Sequence, residues 1–273
     1  MTDLVRAENL RVALPDRGAK RTFRRAPLTE ILHGVDFAVG RGEAVGVVGE
    51  SGSGKTTLGR TLIRLLAPTG GRITFDGQDI TRADEATLRP LRARMQMIFQ
   101  NPLSSLNPRH TVLASIAAPL LARGERAGAR DKSLAAMQRA GLSANLAERY
   151  PHQLSGGQRQ RVGIARAIVT APDFILADEI VSGLDVATQA QILDFLRELR
   201  RDMGLALAFI SHDLSVVRVL CERVVVMHQG RIVEAGACAD VFAAPRHPYT
   251  RRLLAAIPLP ELDSGWLDAE DAA

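Results

Sequence analysis

A chain of 273 residues, 46% hydrophobic and 24% charged, has the make-up of a globular protein able to bury one large core or two small ones. Glycine (23) and proline (13) stand near average usage, which excludes collagen-like and low-complexity sequence. The excess of 35 bases over 30 acids, a net charge of +5, is too mild for a dedicated nucleic-acid binder, so no nucleic acid is expected as a partner.

Along the chain, Asp3, Arg6, Glu8 and Arg11 stand where a signal peptide needs an apolar stretch, so export is not expected. The basic run Arg17, Lys20, Arg21, Arg24 and Arg25 reads as a solvated loop. Residues 35–39 alternate in and out as a strand, Gly40-Arg41-Gly42 turns, and residues 44–48 form a short apolar run suited to a strand buried on both faces. Leu58, Leu62, Leu65 and Leu66 then recur at helical spacing, with Pro68 expected to close the helix. Another strand is expected over 72–75, ended by Asp76-Gly77.

From about Pro102 to Pro172 strand signals vanish and helical stretches such as 131–140 and 157–170 take over. The apolar stretch at 112–122 is too short for a membrane span, which needs roughly 18 apolar residues, and it carries Pro119. Alternation then returns, with a strand over 174–177, a helix over 187–201 and a strand over 205–210. A hairpin of 224–227 with 231–234 turns at Gln229-Gly230. This is an α/β core interrupted by a helical insertion. Cys221 and Cys238, the two cysteines, give neither a disulfide framework nor metal-ligand spacing, which suits a reducing cytoplasm.

Three stretches carry chemistry. Gly49-Glu50-Ser51-Gly52-Ser53-Gly54-Lys55-Thr56-Thr57 contains the G-x-x-x-x-G-K-[ST] pattern of a phosphate-binding loop. Its glycines let backbone N–H groups turn inward around phosphate oxygens, and the following helix sets its positive end against them. Lys55 is expected to reach the outer phosphates of ATP and Thr56 to ligate Mg²⁺. The apolar strand before Asp178 and Glu179 ends in two carboxylates, one suited to holding Mg²⁺ and the other to orienting or deprotonating a water. Leu154-Ser155-Gly156-Gly157-Gln158 has an N-cap serine followed by two glycines that leave helical amides exposed.

With that pentapeptide the sequence resembles the ATP-binding-cassette ATPases, from about Leu4 to Ile257. The resemblance implies a P-loop NTPase (RecA-like) α/β core with an N-terminal antiparallel β subdomain and an inserted α-helical signature subdomain. It implies one domain over 1–258, with core at about 1–101 and 172–244, helical part at about 102–171 and an extension at 245–258. Residues 259–273, with five acids from Glu261 onward, read as a tail. By resemblance, Gln100 is the glutamine that senses Mg²⁺ and the γ-phosphate, and Ser182-Gly183-Leu184-Asp185 contributes Asp185 beside the nucleotide. His212 is the histidine that contacts the γ-phosphate, and Ser155, Gly156, Gly157 and Gln158 close over a nucleotide held by a second ATPase subunit. Two departures stand out: Ile180-Val181 follows the glutamate where the family usually has Pro-Thr, and no aromatic stands near Leu14 and Pro15 to stack on adenine, Phe23 being the nearest.

Residues 99–109 and 247–258 resemble the corresponding segments of peptide and nickel importers, with the second expected to form a short helix after Pro248. The resemblance therefore implies a nucleotide-binding subunit on the cytoplasmic face of a bacterial inner membrane. Two permeases would be its direct partners, and an extracytoplasmic solute-binding protein an indirect one. The alternative is an ATPase serving a soluble assembly such as the carbon–phosphorus lyase system. The prolines at 102 and 108 are expected to forbid a regular helix after Gln100, and Leu103 and Leu106 to lie on the permease-docking surface.

Overall fold

The computed structural model describes residues 3–15 and 27–256, the side chains of Pro102 and Leu103 excepted. The basic run, Phe23, Ile257-Pro258 and the acidic tail lie outside the described residues.

Two sheets organise the chain. Strands β1 (Asp3–Pro15) and β2 (Leu28–Gly40) pair antiparallel, and β1 also takes β4 (Gly70–Phe75), which pairs with β5 (Gln78–Asp79), in the order β2-β1-β4-β5. The second sheet uses β3 (Ala44–Val48), β6 (Met95–Ile98), β7 (Phe174–Asp178), β8 (Ala206–Ile210), β9 (Arg223–His228) and β10 (Arg231–Ala237). Its order is β10-β9-β3-β8-β7-β6, with every pair parallel except the β9–β10 hairpin.

The parallel strands β3 and β8 are apolar and buried throughout, and β7 is so up to its last residue, because both faces are covered. In β7 and β8 successive residues alternate between two cores: Phe174, Leu176, Ala206, Ala208 and Ile210 face the antiparallel sheet, and Ile175, Ala177, Leu207 and Phe209 face the helices. Between the sheets lies α1 (Lys55–Leu62), whose Leu58 and Leu62 are fully buried.

Helix α1 stops before Pro68. Arg64 adopts φ +56°, its N–H bonds to the Thr61 carbonyl and that of Leu65 to the Arg60 carbonyl, a Schellman ending built on arginine instead of glycine. The Arg64 guanidinium holds this conformation by donating to the Ile80 carbonyl at 2.8 Å. Leu65 is consequently half exposed and contributes little to the core. Helix α2 (Glu85–Arg92), capped by Asp84, then leads into β6.

Between β6 and β7 the described α-helices are α3 (Pro102–Ser105), α4 (Val112–Ala122), α5 (Ala129–Arg139) and α6 (Gly156–Ile168), and no described strand stands among them. After Gln100, where the prolines are expected to forbid a regular helix, the chain makes the single four-residue turn α3. Proline is tolerated at the first helical position, where no intrahelical N–H is needed, and Asn101 Oδ1 accepts the Ser104 N–H. Leu106 corrects an expectation: it is 3% exposed and packed in the helical core, not on a docking surface. The side chain of Leu103 lies outside the described residues. Past β7, α7 (Val186–Met203), α8 (Leu214–Leu220), α9 (Cys238–Ala243) and α10 (Pro248–Ala255) complete the fold.

Candidate functional site

The glycine loop 49–57 leaves the C-terminal end of β3 and enters α1, the edge at which ligands gather in open α/β sheets. Gly49 (φ +147°) passes so close to β9 that a Cβ would lie 2.2 Å from the Met227 carbonyl oxygen. Gly54 (φ +103°) precedes α1 in the left-handed region and offers no side-chain cap, so the first amides of α1 keep their hydrogen-bonding capacity.

Lys55 is 5% exposed and its Nζ donates to the carbonyls of Gly49 (2.7 Å) and Glu50 (2.8 Å). Burial lowers its pKa, and the negative charges of Glu179, Asp178 and Glu50 oppose that shift. Its hydrogen-bond partners are neutral, so its positive charge is not cancelled by direct pairing. Ser53 adds a buried hydroxyl with no hydrogen-bond partner among the described residues. A loop with a buried cation, a spare hydroxyl and free helix amides is chemically fitted to the phosphates of a nucleotide.

At the far side of α1's first residue, Thr56 Oγ1 donates to Asp178 Oδ1 at 3.1 Å. Asp178 closes β7 at 3% exposure, and burial pushes its carboxyl above the ordinary range despite the Thr56 hydrogen bond. A desolvated carboxylate beside a hydroxyl is a suitable ligand pair for a hard divalent cation, whose charge would offset the cost of burying the anion.

Glu179 follows with φ +49°, a left-handed conformation unusual outside glycine and asparagine. It persists because its N–H donates to the Ile210 carbonyl (2.9 Å) and its carbonyl accepts the Ser182 hydroxyl (2.7 Å). The next two residues, Ile180 and Val181, are buried in the helical core, so the departure from Pro-Thr serves packing. Turned this way, the Glu179 carboxylate accepts the Gln100 amide at 2.7 Å and lies 3.7 Å from His212 Nδ1. Gln100 after β6, Glu179 after β7 and His212 after β8 thus converge from three adjacent strand ends.

Ser155 and Gln158 lie elsewhere, at the start of α6. They form a reciprocal capping box, Gln158 N–H to Ser155 Oγ (3.2 Å) and Ser155 N–H to Gln158 Oε1 (2.9 Å). Gly157 lets this helix start press on α7, where a Cβ would lie 2.7 Å from Thr188 Cγ2. Thr188 in turn holds Asp185, donating its N–H at 2.8 Å and its hydroxyl at 2.7 Å, and these bonds keep the Asp185 carboxyl below the ordinary range.

Near Leu14 the strand pair brings Thr29 opposite Leu14 and Leu28 opposite Pro15, neither of them aromatic. Sequence reasoning missed one residue that touches the loop. Tyr249 of α10, expected only to belong to a packed helix, takes the Glu50 N–H on its hydroxyl oxygen at 2.9 Å. Its helical neighbourhood was legible; the long-range contact had no local signal.

The chain is similar to known proteins over nearly all its length. A family model described as ABC transporter matches residues 32–182. A putative peptide import ATP-binding protein of Brucella ovis is 48% identical over 248 residues, covering 90% of this chain and 78% of that protein. The oligopeptide transport ATP-binding protein OppF of Salmonella typhimurium is 44% identical over 264 residues, covering 95% and 79%. Among solved structures, the dimeric MJ0796, a bacterial ABC transporter cassette, superposes with a TM-score of 0.75 at 28% identity, covering 86% of this chain and 98% of that one. The cbiO1 protein from Clostridium perfringens, part of the ABC transporter complex cbiONQ, gives 0.76 at 27% identity, covering 89% and 92%.

Proposed function

The chain belongs to the ABC transporter family of ATPases, and from that premise we propose that it is the ATP-hydrolysing subunit of a bacterial importer for peptides or related solutes. The observation that carries the catalytic part is the carboxylate of Glu179, held between the amide of Gln100 and the ring of His212. The relatives named for peptide import and oligopeptide transport support the choice of solute class.

In this reading the loop 49–57 binds the phosphates of ATP, with Lys55 turning its buried ammonium from neutral carbonyls to the outer phosphates. Thr56, Asp178 and Gln100 hold Mg²⁺, which when bound polarises phosphate oxygens and neutralises charge on them. Glu179 accepts the proton of the attacking water, and its left-handed backbone aims the carboxylate away from the strand toward Gln100 and His212. His212 is 61% exposed at its side chain and donates toward the γ-phosphate. Ser155, Gly156, Gly157, Gln158 and Asp185 present to a second ATPase subunit, so that each nucleotide is covered by residues of two chains.

The division into a core at about 1–101 and 172–244, a helical part at about 102–171 and an extension at 245–258 belongs to the same proposal. Two permeases, served by a solute-binding protein on the other side, dock this subunit at the cytoplasmic face of the inner membrane. No described helix is long and apolar enough to cross that membrane itself.

The test is uptake of labelled dipeptides, oligopeptides and nickel by cells lacking this chain. Uptake of one class should fall and return with the wild-type chain but not with Lys55→Ala. Unchanged uptake of all three would overturn the importer reading.

A further inference from the structure

The C-terminal helix reaches the nucleotide loop through one side chain. Tyr249 is 3% exposed, and its hydroxyl oxygen accepts the N–H of Glu50 at 2.9 Å across 199 positions of sequence. Its ring stacks on His228, the last residue of β9, with centroids 4.0 Å apart and planes inclined by 27°. The segment that carries it is fixed at its own root. Glu234 of β10 accepts the N–H groups of Arg246 (2.8 Å) and His247 (3.0 Å), and His247 Nδ1 accepts the N–H of Tyr249 (3.1 Å).

Glu50 is the part of the loop that most needs such an anchor. It stands between Gly49 (φ +147°) and Gly52 (φ +82°), two positions of high backbone freedom. Its carbonyl is engaged from inside the loop, by the Ser53 N–H at 3.2 Å and Lys55 Nζ at 2.8 Å. The latter bond loosens whenever Lys55 turns to a phosphate. The loop's other external ties lie further on, where the Ser53 carbonyl accepts the Gly230 N–H at 3.0 Å. The Tyr249 hydroxyl is therefore the tie from outside the loop that remains on Glu50 when Lys55 leaves, beside the internal Ser53 bond.

We propose that Tyr249 is a positioning residue for nucleotide binding, and that through it the C-terminal helix α10 sets the affinity of the loop 49–57. The inference rests on the reading of that loop as a phosphate site. A loop held in one arrangement before ligand arrives loses less conformational freedom on binding, and a loop competent only part of the time binds more weakly by that fraction. By reciprocity, a nucleotide that favours the tied loop also stabilises α10.

The experiment uses the full chain as wild type, Tyr249→Phe and Lys55→Ala. Phenylalanine keeps the ring for His228 and removes only the hydroxyl. Affinity for a fluorescent ATP analogue with Mg²⁺, steady-state hydrolysis and amide hydrogen exchange over 49–57 and 248–255 are measured together. Tyr249→Phe is expected to weaken binding about three- to tenfold, the scale of one intramolecular hydrogen bond. KM for ATP should rise while kcat stays within about twofold, because no reacting group is touched. In the wild type the analogue should slow exchange over 248–255, a readout that does not depend on the variant's folding, and Tyr249→Phe should lose that protection. Wild-type affinity in Tyr249→Phe, or no nucleotide-dependent protection of 248–255 in the wild type, overturns the proposal while Lys55→Ala still fails to bind. If Lys55→Ala binds as well as the wild type, the phosphate-loop reading itself falls, and this inference with it.

Discussion

Two of the glycine-bearing helix starts, those of α1 and α6, are built on opposite plans. At α1 the residue before the helix is Gly54, no side chain caps it, and the first helical residue is a buried lysine. Polar capacity there is left open and enclosed by β9, the β9–β10 turn and α10. At α6 the residue before the helix is Ser155, two amides are already used by the capping box, and Ser155 is exposed. An enclosed, uncapped start can bind an anion within one subunit; an exposed, capped one offers a rigid edge for something brought from outside. In the proposed function the two starts act as separate half-sites, and the halves should then tolerate different damage.

The largest effect should come from Glu179→Gln, which leaves the α1 half intact and removes the proposed proton acceptor. Hydrolysis should slow by about 10²- to 10⁴-fold, the range for loss of a general base, while nucleotide affinity is retained. With ATP persisting, the α6 half of a second chain should remain engaged, so size-exclusion chromatography with Mg²⁺-ATP should show dimers. A variant that hydrolyses at the wild-type rate would remove Glu179 from this role, and one that stays monomeric would break the two-half comparison.

Next in size is the link between the halves. Arg166 of α6 donates to the Ser105 carbonyl, and its guanidinium lies 5.8 Å from the Phe99 ring centroid, next to Gln100. Leu106, adjacent to Ser105, is buried in the same region. Leu106→Ala should cost about 2–3 kcal/mol, toward the low end for a buried leucine. Denaturant titration checks this, and a loss under about 0.5 kcal/mol would return Leu106 to the surface, where sequence reasoning expected it.

A smaller effect, confined to the α6 half, is expected from Gly157→Ala. The added methyl would meet Thr188 Cγ2 at 2.7 Å, so Thr188 must rotate and give up its hydroxyl bond to Asp185. Hydrolysis should fall about tenfold, the equivalent of about 1.4 kcal/mol, with nucleotide affinity of the isolated subunit unchanged. A matching loss of affinity would mean the two halves are not separable.

The sequence made the α1 half legible in detail because its chemistry is contiguous: strand, glycine loop, lysine and helix follow one another from Ala44 to Leu62. The doubly buried strands were legible from their continuous apolar runs, and the hairpin from Gln229-Gly230. What periodicity could not supply was long-range geometry. Arg64 ends α1 because its side chain finds the Ile80 carbonyl sixteen residues away, so Leu65 and Leu66 mimicked a longer helix. Leu106 looked available beside two prolines, yet it is buried in the helical core. The left-handed turn of Glu179 is imposed by Ile210 and Ser182, and nothing in its own residue type announces it. Tyr249 meets Glu50 only after the entire chain has folded.

The smallest effect concerns the electrostatics of the α1 half and appears as a difference in pH dependence. Burial raises the pKa of Asp178 in the folded chain above its ordinary value, so the folded state binds its proton more readily than the unfolded state. The stability this group contributes is present below the ordinary carboxylate range and lost as pH rises through the raised folded value. Exposed acids elsewhere in the fold, such as Asp76 and Glu85, are held low by arginines and act in the opposite direction, so the wild-type curve alone cannot isolate Asp178. The Tm of wild type minus that of Asp178→Asn can, because those acids are common to both. Without nucleotide or Mg²⁺, that difference should turn more negative as pH rises out of the carboxylate range, by on the order of 2 °C in a chain of this size. Lys55 limits the gain, since removing the Asp178 charge also removes support for a buried ammonium. Adding Mg²⁺-ATP should shrink or reverse the difference, because the carboxylate then faces a cation. A flat difference curve would mean the Asp178 anion is already fully compensated by Thr56 and Lys55, and the α1 half would then have no electrostatic strain for a cation to relieve.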